Sequence, residues 1–267
     1  MADWSKLTSR GTVDDRRAFG PAHVGGVGIA GVLIYLAVQY FSHGSISATD
    51  VLQSLNNTQV QSQQIDTSAF QGADSYEVFA STVLGSTTDM WSTLFNESHK
   101  TYTPPKFVLF RGSTTSACGG ANAAVGPHYC PNDDTIYLDE TFFDELQQRL
   151  GASGDVAQAY VIAHEVGHHV QKELNITNSD SIQNELQADC FAGLWASSIK
   201  NQGVFQPGEI KEALDAASAV GDDHIQKVTT GQINPETWTH GSSAERVGAF
   251  TKGYESGTFS SCTTALQ

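Results

Sequence analysis

Residues 155–173, DVAQAYVIAHEVGHHVQKE, decide how the rest of the chain is read. Val156, Ala159, Tyr160, Ala163, Val166, Gly167 and Val170 recur at three- and four-residue steps, the period of an amphipathic helix with one buried face. Gly154 and Asp155 suit its start, where an acid meets the positive end of the helix dipole. On such a helix His164 and His168, four residues apart, project from one face, close enough for both to hold one metal ion. Glu165 stands at the edge of the same site. The pattern is H-E-x-x-H, two imidazoles for Zn²⁺ and a carboxylate placed to take a proton from water.

A second motif supports the first. Seventeen residues past His168 comes ELQAD, with Glu185 and Asp189 again one helical turn apart. A catalytic zinc site uses three protein ligands and one open position, and His-His-Glu is an established set. The expected ligands of one Zn²⁺ per chain are therefore His164, His168 and Glu185. Asp189 is expected behind them, accepting a hydrogen bond from the outer nitrogen of a ligating histidine. A short polar turn, Asn175 to Asp180, lets the two helices pack antiparallel.

The 267 residues suffice for one substantial domain with accessory segments. Net charge is −15, and residues 1–41 hold only four basic and three acidic residues, leaving 10 basic and 26 acidic for the rest. So acidic a body argues against nucleic acid as a partner, since phosphate contacts need Lys and Arg.

Residues 1–23 read as a polar, disordered tail. Residues 24–41, VGGVGIAGVLIYLAVQYF, run without a charge and with no polar face. Eighteen residues lie near the lower limit for crossing a bilayer, so the run is expected to be an N-terminal transmembrane anchor rather than a core helix or a cleaved signal peptide. Lys6, Arg10, Arg16 and Arg17 precede it and no Lys or Arg follows until Lys100. The positive-inside rule then puts the N-terminus in the cytoplasm and the body outside the cell membrane. Residues 42–72 read as a polar linker, with a short helix at Val51 to Leu55, and residues 73–267 as the folded domain.

Within that domain, helical spacing runs from Tyr76 to Phe95 and stops before Pro104-Pro105. Phe107–Phe110 and Thr135–Leu138 read as strands around a glycine-rich loop, the second fitting an edge or an interior position. Further helices are expected at Glu140–Leu150, Pro207–Val220 and Ser242–Tyr254. Four cysteines allow three pairings. Cys118–Cys130, closing a short loop, and Cys190–Cys262, pinning the C-terminal tail to the second motif helix, are expected, because the body faces an oxidising compartment and no C-x-x-C pair suggests thiolate zinc.

Several stretches together carry a family resemblance: Val13-Asp14-Asp15-Arg16-Arg17, Arg111-Gly112, Cys118-Gly119, Tyr129-Cys130-Pro131, Ala159 through Gln171, Glu185 through Gly193, Gly221-Asp222-Asp223 and Thr239-His240-Gly241-Ser242. In this set and order the chain resembles the neutral zinc metallopeptidases of bacteria, the YpfJ-type membrane-anchored proteins. The resemblance implies a single-pass anchor, an α+β, mainly helical zincin-like domain with a small β-sheet, and peptidase activity on a peptide or protein substrate. His128 and His224 fall outside the family pattern and are set aside.

Likeness to gluzincins more broadly implies Glu165 as general base and a separate donor to the developing oxyanion, for which His240 is the candidate beside a helix-capping reading. Arg246 would assist or merely pair with an acid, Tyr160 belongs to the core, and His169 points away from the ligand face. The competing reading is a non-catalytic binding or scaffolding module that keeps the zincin fold. Oligomeric state is not legible in the sequence.

Overall fold

The computed structural model describes residues 1–17, 74–122 and 126–263. The first long helix, α1 (Ser75–Glu97), begins where the Asp74 side chain accepts the free backbone N–H groups of Tyr76 and Glu77. It buries Ala80, Val83, Leu84, Trp91 and Phe95. A four-stranded mixed sheet follows the order β1 (Val13–Asp15), β2 (Lys106–Phe110), β6 (Thr135–Asp139), β5 (His128–Cys130). The first three strands run parallel and β5 is antiparallel to β6. Between β2 and β5 the chain folds into a separate hairpin, β3 (Ser113–Ser116) and β4 (Gly119–Asn122). The run Thr135–Leu138, open to either position in sequence, is interior. Among the described residues β5 is the outermost strand on that side.

After α2 (Phe142–Gln148) come the two motif helices, α3 (Asp155–Leu174) and α4 (Ser181–Ile199). Asn175, left-handed at φ 54°, ends the first, and the Asp180 side chain caps the second by accepting from Ile182 N–H. Gly167 of α3 faces Ala188 of α4 so closely that a Cβ there would lie 3.0 Å from the Ala188 Cα. This close crossing sets His164 and His168 against Glu185. Then follow α5 (Ile210–Ala219), α6 (Asp222–Thr230), α7 (Ser243–Ser256) and α8 (Phe259–Thr263). A Cβ on Gly193 would overlap the Phe250 carbonyl oxygen, and one on Gly253 would overlap that of Cys190, so α4 and α7 touch backbone to backbone. Disulfides join Cys118 to Cys130 and Cys190 to Cys262. The second ties α8 onto the same helix pair.

The largest departure from the sequence reading is at the N-terminus. Residues 1–17, expected to be a disordered tail, are part of the domain. Asp3 N–H donates to Val204 O at 2.8 Å, and Ala2 N–H and Trp4 Nε1 donate to Asp155 Oδ2 at the start of α3, at 2.9 and 2.7 Å. The Trp4 ring packs among Phe79, Trp195 and Phe205, and Leu7 is buried in the main core. Gly11 N–H bonds Ser81 O at 2.7 Å, and β1 adds a parallel strand to the sheet. Arg17, 2% exposed, donates to Asp15, Asp74 and Glu140. The polarity that suggested disorder is thus spent on internal bonds, a pattern with no apolar period to betray it.

The expected helix Glu140–Leu150 is shorter, since Asp139 turns the chain by accepting from Thr141 N–H. The helix expected from Pro207 starts only at Ile210, and α6 was not foreseen. No helix among the described residues is long and apolar enough to cross a membrane. Residues 24–41, expected as the anchor, and the linker 42–72 lie outside the described residues.

Replacing Arg17 by Ala takes the shared guanidinium from Asp15, Asp74 and Glu140, of which Glu140 keeps its pair with Arg111. Those carboxylates are partly hydrated, so the cost is set at about 2–3 kcal/mol, below the range for fully buried pairs. In thermal unfolding followed by circular dichroism, Tm of Arg17→Ala falls by roughly 4–12 °C, given about 2–4 °C per kcal/mol at this size. Arg16→Ala, which loses one exposed pair with Asp14, stays near the parent. Equal Tm for the two variants contradicts the buried clamp.

Candidate metal centre

The α3–α4 crossing brings three side-chain donors to one point. His164 Nε2 and His168 Nε2 are 3.1 Å apart, and Glu185 reaches them with Oε2 at 3.2 Å from the first and Oε1 at 3.3 Å from the second. Among the described residues this is the one group of His, Cys, Asp or Glu side chains close enough to share an ion. Glu165 lines the same cleft, largely buried, and no hydrogen bond from a described residue ties it down.

The outer nitrogens of both imidazoles are taken. His164 Nδ1 lies 2.8 Å from Asp189 Oδ1, and His168 Nδ1 lies 3.0 Å from Gln171 Oε1. The Gln171 amide is itself oriented, its Nε2 donating to Asn184 O at 2.7 Å and Gln187 Oε1 at 3.1 Å. With acceptors at both Nδ1 positions, each ring keeps its proton there and turns an Nε2 lone pair inward. Two lone pairs at 3.1 Å repel unless a cation lies between them. A proton or a divalent metal meets that need, and two imidazoles with a carboxylate are the donor set that suits zinc.

Asp189 is fully buried and made tolerable there by Arg246. The guanidinium donates Nε to Oδ2 at 2.8 Å and Nη2 to Oδ1 at 2.9 Å, while the Tyr160 hydroxyl donates to Oδ1 at 2.5 Å. Arg246 also lies 3.7 Å from Glu185 Oε2. Tyr160, read as core in the sequence, is buried yet bonds into this group. Burial opposes a charged His164, but Asp189 and then Glu185 outweigh it and push its pKa up to about 10. His168 is also raised, its own burial outweighed by Glu185. Glu185 is held far below the carboxylate range: burial works against this, and hydrogen bonds from His164 and His168 prevail.

His240 lines the same cleft but is about half exposed and not part of the donor cluster. Its placement comes from a residue that the sequence offers only as part of the family resemblance, with no role attached. Asp222, buried at the start of α6, accepts the backbone N–H groups of Thr239, His240 and Gly241 at 2.8, 2.7 and 3.1 Å. Its other oxygen lies 3.2 Å from His240 Nδ1, which leaves Nε2 for the cleft. Asp223 does the same for Ser243 through N–H and Oγ, both at 2.7 Å. The Ser242–Glu245 capping box then starts α7, which carries Arg246. The neighbouring pair Asp222-Asp223 and the spacing His168–Gln171 were the available signals.

His169 points to the other side, as its rotation predicted. Its Nε2 is 2.7 Å from Thr103 O and its Nδ1 is 3.1 Å from the Tyr129 hydroxyl of β5. Lys172 pairs with Asp134, which also accepts from Tyr129. The metal-motif helix thus grips the sheet edge from behind.

Without metal, protonation of His164 contributes stability that is complete below an unfolded pKa near 6.5 and is lost as pH rises through about 10. Zinc competes with that proton and with the one on His168. Titration calorimetry of the metal-free chain in buffers of different ionisation heat should therefore show about one to two protons released per zinc, with affinity rising from pH 6 to 8. Heats independent of buffer, with affinity flat in pH, contradict the arrangement of donors described above.

The chain is 38% identical to the uncharacterized protein YpfJ of Escherichia coli strain K12, the match covering 98% of each. It is 45% identical to the uncharacterized protein Rv2575 of Mycobacterium tuberculosis over 61% of this chain and 63% of that one. No solved structure matches. Residues 2–265 match the family described as "Putative neutral zinc metallopeptidase", and the chain belongs to that family.

Proposed function

We propose that the chain is a zinc-dependent peptidase with a zincin-like, gluzincin-type domain. The observation that carries the reading is a Glu165 carboxylate, without a hydrogen bond from any described residue, beside three convergent donors in an open cleft of about 740 Å³. A purely structural or binding site has no use for a free base beside its metal. Zinc held by His164, His168 and Glu185 would lower the pKa of a coordinated water to about 7 and polarise a carbonyl.

The chain's own residues then divide the remaining work. Glu165 takes a proton from the attacking water as its oxygen bonds to the peptide carbonyl carbon. The same carboxyl group returns the proton to the amide nitrogen as the C–N bond breaks, so the base ends as it began. His240, whose Nδ1 faces the Thr239 hydroxyl at 2.9 Å and Asp222 at 3.2 Å, turns Nε2 toward the oxygen on which negative charge develops and donates from it when both ring nitrogens carry protons. Arg246 holds Asp189, and Asp189 holds His164, so these residues position the ligand rather than touch the substrate. β5 lines the cleft with His128 and Tyr129 and is the sheet's outer strand, so it is the place for an extended peptide to add by backbone bonding. The strand Thr135–Leu138, considered for this in sequence, already has neighbours on both edges.

Full-length chain loaded with zinc is assayed on casein or a peptide library. Glu165→Gln is expected to keep one zinc and lose about 10²–10⁴ in turnover. His240→Ala keeps its zinc and loses about 10²–10³ in kcat. A zinc-replete parent no faster than Glu165→Gln removes the peptidase reading.

A further inference from the structure

The two disulfides sit in different surroundings. Cys190 and Cys262 are 0% and 1% exposed and both belong to the main core. Cys118 is exposed at the tip of the β3–β4 hairpin. Its partner Cys130, the last residue of β5, is buried in a small separate cluster with Val108, Phe110, Ala121 and Tyr137. We infer that Cys118–Cys130 is a redox latch on the cleft wall. A dithiol reductant opens it before Cys190–Cys262, and peptide affinity then falls while the metal ligands keep their places. This names a regulation of the proposed site and rests on that reading only in that the cleft receives a peptide.

The first support is access. Exchange requires a thiolate to reach a disulfide sulfur. Cys118 offers one at the surface, and the buried pair offers neither. The incoming thiolate bonds to Cys118 Sγ, the bond to Cys130 breaks, and Cys130 leaves as a thiolate that takes up a proton. The second thiol of the reductant then attacks the reductant's own sulfur in the mixed disulfide and frees Cys118. The dithiol loses two electrons and closes into a disulfide.

The second support is how little else fastens the hairpin. Two strands of four residues are marginal on their own. The residues of β3 alternate between exposed and half-buried, and Ala121 is the hairpin's member of the small cluster. Beside the disulfide, the tip is tied by surface bonds, from Ala117 N–H to Asp133 Oδ2 at 3.0 Å and from Asn132 Nδ2 to Ala117 O at 3.3 Å. Local opening begins at such sites, where few apolar contacts and exposed hydrogen bonds coincide.

The third support is where the hairpin leads. Gly126 and Pro127, on the path from β4 to β5, line the cleft, and so do His128, Tyr129 and Pro131 around Cys130. β5 meets β6 over three residues, of which Cys130 is one. A strand that must be ordered as the peptide adds to it binds more weakly than one already in place. His164, His168 and Glu185 stand on α3 and α4, which carry the other disulfide, so the metal centre is left intact.

The full chain carrying Glu165→Gln is treated with graded dithiothreitol, desalted without air and given one equivalent of zinc. Freed thiols are alkylated in one portion and mapped by mass spectrometry, and binding of fluorescein-labelled casein is measured in another. Cys118 and Cys130 are expected to react at dithiothreitol concentrations that leave Cys190–Cys262 closed. Over the same range casein affinity should fall about tenfold, with one zinc retained and affinity restored on reoxidation. The double variant Cys118→Ser, Cys130→Ala should bind as weakly as the reduced chain and no longer respond to dithiothreitol. Opening of Cys190–Cys262 first, loss of zinc on opening Cys118–Cys130, or unchanged casein affinity overturns the latch. Casein bound by the oxidised chain but never hydrolysed by the parent removes the peptidase reading and leaves the latch standing.

Discussion

Two imidazole nitrogens 3.1 Å apart, each turned inward by an acceptor behind its ring, are the constraint on which the structure depends. Such a pair is repulsive when neutral and empty, so the fold has to supply rigid backing and a neighbouring negative group. Asp189 and Gln171 provide the backing and Glu185 the charge. Each of these is itself held: Asp189 by Arg246 and Tyr160, Gln171 by Asn184 and Gln187. A metal-ligating histidine whose outer nitrogen is fixed keeps its tautomer and its direction, which is what a preorganised site requires.

The remainder of the domain fixes the distance between the two helices that carry these groups. Gly167 lets α3 approach α4, while Gly193 and Gly253 let α7 approach α4 from its other side and deliver Arg246. The disulfide from Cys190, midway along α4, to Cys262 and the N-terminal bonds to Asp155, at the start of α3, then secure the same helices. At the start of α3 Glu212 Oε2 accepts the free Val156 N–H at 3.1 Å, and the chain's first residues donate to the Asp155 carboxylate beside it. Residues 1–17 are in this sense part of the scaffold of the candidate metal centre, although they do not line the cleft.

Much of this was legible in the sequence because it is local. His164, Glu165 and His168 are fixed relative to one another by helical spacing alone, and Glu185 and Asp189 by the same spacing one helix later. What spacing cannot show is which polar residues from distant segments complete the shell. Arg246 was left undecided between site and surface because its partner, Asp189, lies 57 positions away. Asp222 belongs to a stretch that carries the resemblance, yet its role was not legible because its work is to gather backbone N–H groups of a loop. The N-terminal segment misled for a related reason: three residues of parallel strand and one buried arginine carry no periodic signal, and a charged, glycine-containing stretch looks the same whether its charges are solvated or paired. Likewise β5 is too short to be read as a strand, although it is the edge that borders the cleft.

The claim that two imidazoles and a carboxylate share one zinc is tested most directly at the metal itself. X-ray absorption at the zinc edge of the purified full chain, loaded with one equivalent, reports the donors and their distances without reference to activity. The account predicts about two imidazole nitrogens and one or two further oxygen donors near 2.0–2.2 Å, with no sulfur. Sulfur scattering near 2.3 Å, or a zinc surrounded only by water oxygens, would contradict it.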